Sequence, residues 1–490
     1  MMTALGNVSC SKQPAISGTE KRLDAEHGPQ SEVSEGEVLA DRHSDVRRGL
    51  KSRHVQFIGL GGAIGTGLFL GIGRALAQAG PLSLFLGYLT AGIAIYCMMM
   101  SLGEMATWLP VPGAIPQFCT RYVDGALGFA VGWTTWSTAV ITLCAEISAV
   151  CSLIQFWAGA RDINVSAWIA TLIVVVLLLN IVAVGIYGEA EFCFALIKVL
   201  AIVGLILLAI IITLGGAMNE YIARGNLGRF LGFWSTLSNA VFSFGGIEMV
   251  AVAAGEAEDP RRNVPKAIRR VFWRILVFYV LGAFVLGLVC PSNDPNLLGR
   301  QPGAASSPWV IAINHAGIGA LPSIINVVII TSASSAANAF VYSGSRYLYA
   351  LWFQNLTTIS NMFTWMSVCV AYIRFHGALQ AQNVSRDTLP FRSPFQPYLA
   401  YFGLGFFLIV TIFNGFDSIA GGWDYQGFLT SYIGVPAFVA LFVGWKVLKR
   451  TRMWKLDEID LFTGKAAIDA EEWPLRKPRN VVEKGWFWVA

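Results

Sequence analysis

Three ionisable side chains lie within long apolar stretches of this sequence: Glu146, Lys198 and Glu248. A charge inside a membrane costs several kcal/mol, so an ionisable group at such a position is a candidate functional residue. A buried carboxyl or amine can take up and release a proton, and we therefore treat all three as candidates for proton transfer. Structural alternatives remain. Lys198 can extend its amine to the inner membrane surface, and Glu248 can hydrogen-bond to nearby backbone.

The backbone offers a second kind of chemistry. The stretch GLGGAIGTGLFLGIG, residues 59–73, is uncharged and crowded with glycine, a poor helix former. Inside a bilayer, unwound backbone is tolerated only where it lines a cavity in the protein. We expect Gly62, Gly65 and Gly67 to unwind the chain, so that free N–H groups bind an anion and free carbonyls a cation. Close helix packing through the GxxxG pair of Gly61 and Gly65 is the alternative.

A second interrupted stretch follows. The segment NAVFSFGGIEMVAVAAGEA, residues 239–257, carries Gly245 and Gly246 beside Glu248. Two interrupted spans, five spans apart, are the pattern of an inverted-repeat transporter. A zwitterion suits such a site, because its carboxylate meets free amides and its ammonium meets free carbonyls. We therefore expect the first and sixth spans to bind a zwitterion together.

The composition is that of a membrane protein. Of 490 residues, 55% are hydrophobic and 13% are charged, with a mean hydropathy of +0.58, whereas soluble domains carry about 25% charged residues. The net charge of +5 is modest and concentrated in loops, so we expect no nucleic-acid partner. No CxxC pair or histidine cluster is present, which argues against a metal site and a disulfide framework. No nucleophile, base and acid stand at a recognisable spacing, so we predict no catalytic residues, no cofactor and no enzyme.

A membrane-spanning helix needs about 20 apolar residues. Eleven candidate spans are visible, near residues 55–73, 82–108, 126–157, 166–187, 191–215, 236–256, 272–290, 319–346, 354–373, 396–415 and 427–447. A short helix near 307–316 is expected on the outer surface. The polar ends are expected to form a disordered tail over 1–53 and a second tail over 448–490.

Basic residues in short loops set the orientation. Arg47, Arg48, Lys51 and Arg53 precede the first span, and a basic run over 261–274 follows the sixth. Both fit a cytoplasmic N-terminus.

The alternation then fails. Eleven crossings leave Arg374, Arg386 and the basic segment WKVLKRTRMWK (residues 445–455) outside. One additional crossing just after Ala350 would return both segments to the inside. The charge pattern alone therefore indicates that a span is absent at this point, or that one of the candidate spans does not cross the membrane normally.

Five stretches together resemble the fungal amino acid permeases, the yeast amino acid transporter branch of the amino acid–polyamine–organocation superfamily. They are IGLGGAIGTGLFLGIG, EFCFALIKVLAIVGLI, FSFGGIEMVAVAAGEAEDPRRNVPKAIRRV, SPWVIAINHAGIGALPSIINVVIITSASSAANAFVYSGSRYLYAL and NVSRDTLPFRSPFQPY. The resemblance covers roughly residues 50–465. It implies an all-α polytopic membrane protein with a five-plus-five inverted-repeat fold, broken helices one and six, and twelve spans.

The same resemblance implies proton-coupled uptake of amino acids, in the plasma membrane, with both termini in the cytoplasm. Amino acids, protons and membrane lipid are the implied partners, and trafficking or ubiquitin machinery is a further one for the tails. The domains that follow are a permease domain over 54–447, with repeat one at about 54–215, an incomplete repeat two at about 236–375 and two last spans over 396–447.

The implied substrate site consists of residues from spans one and six: Ala63, Gly65, Thr66, Gly67, Phe242, Phe244 and Gly245. By motif position, Thr66 and Gly67 would hold the substrate carboxylate through the hydroxyl and backbone N–H. The carbonyl of Ala63 would face the ammonium.

In the sixth span, Phe242 and Gly245 would offer carbonyls. Phe242 and Phe244 would flank the side-chain pocket, with Phe244 as a gate. Lys198 matches the family lysine that replaces a sodium ion, which favours a proton-linked role in which the protonated amine braces the first span.

The family pattern breaks at one place. A loop and a complete ninth span usually separate SGSRYLYAL from NLTTIS, and here only WFQ, residues 352–354, stands between them. The chain thus has eleven recognisable spans instead of twelve, and ISNMFTWM also departs from the small residues usual in the next span. A gene-model error, an alternative transcript and a degenerate paralogue are all compatible with this. The alternatives to transport are a non-transporting amino acid receptor and an inactive truncated permease retained in the endoplasmic reticulum.

Overall fold

The computed structural model describes residues 50–181, 184–213, 225–298, 307–319, 321–350, 358–416, 423 and 425–465. Most of the tail predicted over 1–53, the last part of the tail predicted over 448–490, and the junction at 351–357 lie outside the described residues. Within the described part the chain is helical, and its one β contact is a bridge between Leu50 and Ala257.

The helices follow one another with short connections. They are α1 Ser52–Ala63, α2 Ile72–Trp108, α3 Ala114–Tyr122, α4 Gly125–Ile154, α5 Ala158–Arg161, α6 Val165–Ile181, α7 Val184–Thr213, α8 Gly225–Ser243, α9 Met249–Val252, α10 Pro260–Val289, α11 Pro295–Leu298, α12 Pro308–His315, α13 Leu321–Ala350, α14 Thr358–Ala381, α15 Tyr398–Phe413, α16 Tyr425–Tyr432 and α17 Gly434–Lys449. Three short segments have other helical geometry: a π-helical turn over Gly67–Gly71 and 3-10 turns over Ala253–Glu256 and Arg386–Thr388.

Several of these helices suit a membrane. Among the described residues, five helical stretches are long and apolar enough to cross a bilayer: Ser52–Trp108, Gly125–Ile154, Tyr187–Ile211, Pro260–Val289 and Leu321–Ser345. Shorter apolar helices over Val165–Ile181 and Tyr398–Phe413 accompany them.

Two predicted spans share the first of these stretches. Gly80 turns the chain between them with a positive φ of 75°, a conformation that glycine adopts without steric cost, and Pro81 follows it inside α2. The predicted end of the fourth span, near residue 187, follows residues 182 and 183, which lie outside the described residues.

The first span is broken as expected. Helix α1 ends at Ala63, and Ile64 then adopts an extended conformation with φ −86° and ψ 91°. The π-helical turn over Gly67–Gly71 leads directly into α2. Of the glycines expected to unwind the chain, Gly65 lies in the break itself, whereas Gly62 lies in the last turn of α1.

The sixth span is broken at the same kind of sequence. Helix α8 ends at Ser243, a turn follows, and the helix resumes as α9 at Met249. Gly246 has a φ of 94°, and a Cβ atom there would lie 2.7 Å from the carbonyl oxygen of Gly62. Only glycine accommodates both this positive φ and this close approach of a neighbouring carbonyl oxygen. The two breaks are therefore in direct backbone contact.

Helix α12 packs into the protein. Its residues from Pro308 to Ile313 are buried. The hydroxyl of Ser307 donates to the carbonyl oxygen of Phe69 at 2.8 Å, so the helix begins against the π-helical turn of the first span. Its apolar residues pack within the protein, which explains their burial.

The segment after α17 folds back onto the protein. The backbone N–H of Trp454 donates to the carbonyl oxygen of Val123 at 3.0 Å, and Arg121 contacts a carboxylate oxygen of Asp460 at 2.7 Å. The indole N–H of Trp108 donates to the carbonyl oxygen of Leu461 at 2.9 Å. The first part of the predicted C-terminal tail is thus fixed to the end of α2 and to α3.

Candidate functional site

A cavity lies where the two broken spans meet. It encloses about 330 Å³, counting space that opens to the outside. Its lining consists of Gly62, Ala63, Gly65, Gly67, Thr142, Glu146, Phe242, Ser243, Gly245, Phe340 and Asn361. Residues from the first and sixth spans, α4, α13 and α14 therefore converge on one space, and most of the residues expected at the site are among them.

Thr66 holds a carboxylate at the edge of this cavity. Its backbone N–H lies 3.2 and 3.4 Å from the two carboxylate oxygens of Glu146, and its hydroxyl donates to the nearer one at 3.0 Å. A Cβ atom on Gly65 would lie 2.4 Å from the same oxygen, so glycine is needed for this approach. The break in the first span thus forms an anion-binding cradle, and Glu146 occupies it.

Two of the three carbonyls expected to face an ammonium, those of Ala63 and Phe242, already accept hydrogen bonds. The carbonyl oxygen of Ala63 accepts from the hydroxyl of Tyr279 at 2.7 Å and from the backbone N–H of Gly65 at 3.2 Å. The carbonyl oxygen of Phe242 accepts from the N–H of Gly245 at 3.1 Å. The Tyr279 hydroxyl also lies 2.6 Å from the carbonyl oxygen of Ser243. One tyrosine therefore links the backbones of both broken spans.

The two phenylalanines of the sixth span have different surroundings. Phe242 lines the cavity, and its side chain is 39% exposed. Phe244 is fully buried, outside the cavity lining, and its ring stacks on Tyr279 with centroids 4.5 Å apart. Phe242 is therefore placed to contact a substrate side chain, whereas Phe244 supports the tyrosine that links the two breaks.

Lys198 points into the protein. Its side chain is fully buried, and the amine donates to the carbonyl oxygens of Gly61 and Ile64, both at 2.7 Å. The hydroxyl of Ser332 also donates to the Ile64 carbonyl, at 3.0 Å. The alternative in which this amine extends to the membrane surface does not occur, because the amine satisfies carbonyls left free by the break.

Sequence reasoning missed the buried carboxylate of Glu191. It accepts hydrogen bonds from the hydroxyl of Ser335 and, at 3.1 Å, from the amide of Asn338. Because it began a predicted span, it looked like the polar end of a helix. A signal was present nonetheless, since Glu191 and Lys198 are seven residues apart and share one face of α7.

Glu248 lies beside the second break and outside the cavity lining. Its carboxylate lies 3.4 Å from the indole nitrogen of Trp365 on α14, and its side chain is buried. Glu248 thus differs from Glu146, which is one of the residues that line the cavity.

A further buried carboxylate, Glu104, fixes the loop between α14 and α15. It accepts from the hydroxyl of Tyr372 at 2.6 Å, from the backbone N–H of Ser393 at 2.7 Å and from the guanidinium of Arg386 at 2.6 Å. This dense set of partners indicates a structural role for Glu104.

Three lining residues come from outside the broken spans and were not foreseen: Thr142, Phe340 and Asn361. Asn361 has a sequence signal, because it belongs to the ISNMFTWM stretch that departs from small residues. Its amide nitrogen would lie 3.0 Å from a Cβ atom on Gly245. The unusual residue therefore lies against the second break.

Comparisons with known proteins show the family of this chain. The chain matches the amino acid permease family over residues 54–352 and 350–458. It is 37% identical to a proline-specific permease of Emericella nidulans, with 93% of this chain and 95% of the relative covered. It is 35% identical to a lysine-specific permease of Saccharomyces cerevisiae, with 94% and 86% covered.

Solved structures show a similar fold at low sequence identity. A manganese transporter of Eremococcus coleocola superposes with a TM-score of 0.50 at 12% identity, covering 86% of this chain and 96% of that one. A variant of the same transporter gives 0.51 at 13% identity, covering 83% and 98%.

The family match falls into two parts. The two family matches meet at residues 350–352. The alignment to the Emericella nidulans permease has 527 positions but includes 93% of this chain, which is about 456 of 490 residues, so about 70 positions lack a residue here. With its long apolar helices and these matches, the chain is an integral membrane protein and belongs to the amino acid permease family.

Proposed function

We propose that this protein carries amino acids into the cell by proton-coupled symport, with alternating access to one site between the broken spans. The observation that carries the proposal is the contact between the two breaks. Gly246 lies directly against the carbonyl oxygen of Gly62, and both spans line one cavity. Paired broken helices supply amides and carbonyls to a single ligand, which is what a zwitterion requires.

In this proposal, the N–H and hydroxyl of Thr66 bind the substrate carboxylate together with the N–H of Gly67. The carbonyls of Ala63, Phe242 and Gly245 face the ammonium. Those of Ala63 and Phe242 already have donors. A carbonyl oxygen has two lone pairs, so the ammonium either shares the Phe242 carbonyl or replaces one of the donors at Ala63.

The cavity lining indicates the substrate class. Relatives are named for proline and for lysine, so their names do not select one substrate. Glu146 is the only ionisable residue among the described lining residues. A second carboxylate on the substrate would have no cationic partner there, and burying an unpaired charge is costly. We therefore favour neutral or basic amino acids over acidic ones as substrates.

Lys198 is the proposed link between protons and movement. Protonated, its amine braces the first span through the carbonyls of Gly61 and Ile64. Deprotonated, it loses its positive charge, so its hydrogen bonds to these carbonyls weaken and the brace loosens. Glu146 and Glu248 remain further candidates for the proton path, and Glu146 is better placed because it lines the cavity.

The proposed architecture is a five-plus-five inverted repeat with eleven recognisable spans, located in the plasma membrane with both termini cytoplasmic. The absent segment would follow Ala350, where the family matches meet. Without the ninth span, the scaffold against which the broken helices move is incomplete. We keep as alternatives a receptor that binds amino acids without transport and an inactive truncated permease.

The test is uptake of labelled amino acids in yeast lacking its own permeases, at acidic and neutral external pH. Surface expression is checked in parallel with a tagged chain. Acid-stimulated uptake of neutral or basic amino acids is the expected result. Binding without uptake at the cell surface would instead favour the receptor, and retention in the endoplasmic reticulum would favour the inactive form.

A further inference from the structure

The cradle at Thr66 is already filled by a carboxylate of the protein itself. We propose that Glu146 is an internal stand-in for the substrate carboxylate, which a bound amino acid must displace. The inference rests on the proposed function, since it concerns the same site. It adds a competition between two carboxylates for one set of donors.

The geometry supports direct competition. The N–H and the hydroxyl of Thr66 both donate to Glu146, at 3.0 to 3.4 Å. These are two of the three donors assigned to the substrate carboxylate, the third being the N–H of Gly67. One N–H and one hydroxyl provide two donors in total, so they cannot fully satisfy two carboxylates at once.

Because Glu146 is buried, its hydrogen bonds to Thr66 are strongly favoured. Glu146 is only 4% exposed, and a buried carboxylate without donors is unfavourable. Hydrogen bonds to a charged acceptor are roughly twice as strong as neutral ones. Glu146 thus keeps the empty cradle satisfied, and a ligand that offers only a neutral acceptor is poorly matched to replace it.

Two other donors in this region, the amine of Lys198 and the hydroxyl of Tyr279, donate to acceptors other than Glu146. The amine of Lys198 donates to the carbonyls of Gly61 and Ile64, and the hydroxyl of Tyr279 donates toward Ala63 and Ser243. The partners of Glu146 that the structure shows are the two groups of Thr66. The site therefore selects for a free α-carboxylate, and the stand-in lowers the apparent affinity by the fraction of time it fills the cradle.

The test compares two ligands that differ at one group. L-Proline and pyrrolidine, which is proline without its carboxylate, are titrated onto the purified full-length protein in lipid nanodiscs, for wild type and Glu146→Ala. Removing the stand-in should tighten L-proline binding about tenfold or more. Binding of pyrrolidine should change by less than about threefold, because a ligand without a carboxylate does not use the cradle and gains little when the cradle is vacated.

Two further variants complete the design. Glu146→Gln retains a neutral acceptor of the same shape and should tighten L-proline binding by a smaller factor than Glu146→Ala. If the alanine variant does not fold, the glutamine variant takes its place in the binding test. Cys144→Ala changes an exposed residue of the same helix and is the matched control.

The outcomes separate this inference from the proposed function. Unchanged or weaker L-proline binding in both Glu146 variants overturns the stand-in but leaves amino acid binding intact. Equal gains for L-proline and pyrrolidine also overturn it, since they indicate an effect that does not involve the cradle. If neither the wild type nor any folded variant binds any of the twenty amino acids, the proposed function itself fails. Binding that is detectable only after Glu146 is replaced supports the stand-in.

Discussion

The amine of Lys198 donates to the carbonyl oxygen of Ile64 at 2.7 Å, although 134 positions separate them in the chain. Ile64 is the residue at which the first span leaves helical geometry. A carbonyl freed by a break needs a donor inside a membrane, and this lysine supplies it. The broken span and the buried amine therefore depend on each other.

Lys198→Ala should abolish most transport and flatten its dependence on external pH. Removing the amine leaves the Gly61 carbonyl without this donor, at a cost of about 1–3 kcal/mol. Uptake at several external pH values, corrected for surface level, measures both effects. An unchanged pH profile in the variant would remove this lysine from proton coupling.

Tyr279→Phe should weaken the link between the two breaks. The lost hydroxyl lies 2.7 Å from the Ala63 carbonyl and 2.6 Å from the Ser243 carbonyl, and a hydrogen bond contributes about 1 kcal/mol to stability. We expect the apparent melting temperature to fall by about 1–2 °C. Tyr96→Phe, whose ring packs on Phe272, is the control. Equal shifts for both variants would contradict a specific role of the Tyr279 hydroxyl.

Arg386→Ala should destabilise the loop between α14 and α15. It leaves the buried carboxylate of Glu104 without its cationic partner, while the donors of Tyr372 and Ser393 remain. Breaking a buried ion pair costs about 3–5 kcal/mol, and partial exposure of Arg386 together with the remaining donors should hold the loss to about 2 kcal/mol. Retention in the endoplasmic reticulum, imaged with a fluorescent tag, reports it. The double variant Arg386→Ala with Glu104→Gln should recover part of the surface level, and no recovery would argue against an unpaired charge as the cause.

Acid should loosen the segment after α17. Burial opposes ionisation of Asp460, but the backbone N–H of Thr463 and the guanidinium of Arg121 outweigh it and lower its pKa below the ordinary 3.8. A lowered pKa in the folded protein contributes stability above the ordinary pKa, and that stability is lost as the pH falls through the lowered value. Proteolysis of the C-terminal segment in nanodiscs should therefore accelerate below about pH 4. Asp460→Asn should already be cleaved faster at pH 7, and equal rates there would refute the contribution of this ion pair.

Asn361→Ala should widen the cavity beside Gly245 and change substrate preference. The asparagine amide lies close to the second break, so its removal leaves space for a larger apolar side chain. We expect the ratio of leucine uptake to proline uptake to rise about tenfold, since one or two methylene groups in an apolar pocket are worth roughly that much. Ser367→Ala changes a buried residue of the same helix outside the described cavity lining. A similar change in that control would exclude a local effect of Asn361.

The sequence by itself determined where the chain breaks and which class of protein it is. Runs of apolar residues predict membrane helices because the bilayer imposes their length. Gly65 and Gly246 mark breaks, since glycine in a span is tolerated only for packing or for unwinding. The family motifs identified the permease, and charge alternation located the irregularity after Ala350, where the family matches also meet.

Only the tertiary structure decided which groups meet. Glu146 and Thr66 are 80 positions apart, and no local pattern predicts that one fills the cradle formed by the other. Glu191 looked like the end of a helix until its partners on α13 showed it buried. Periodicity reports which face of a helix is buried, whereas the identity of a contact depends on how helices distant in sequence pack together.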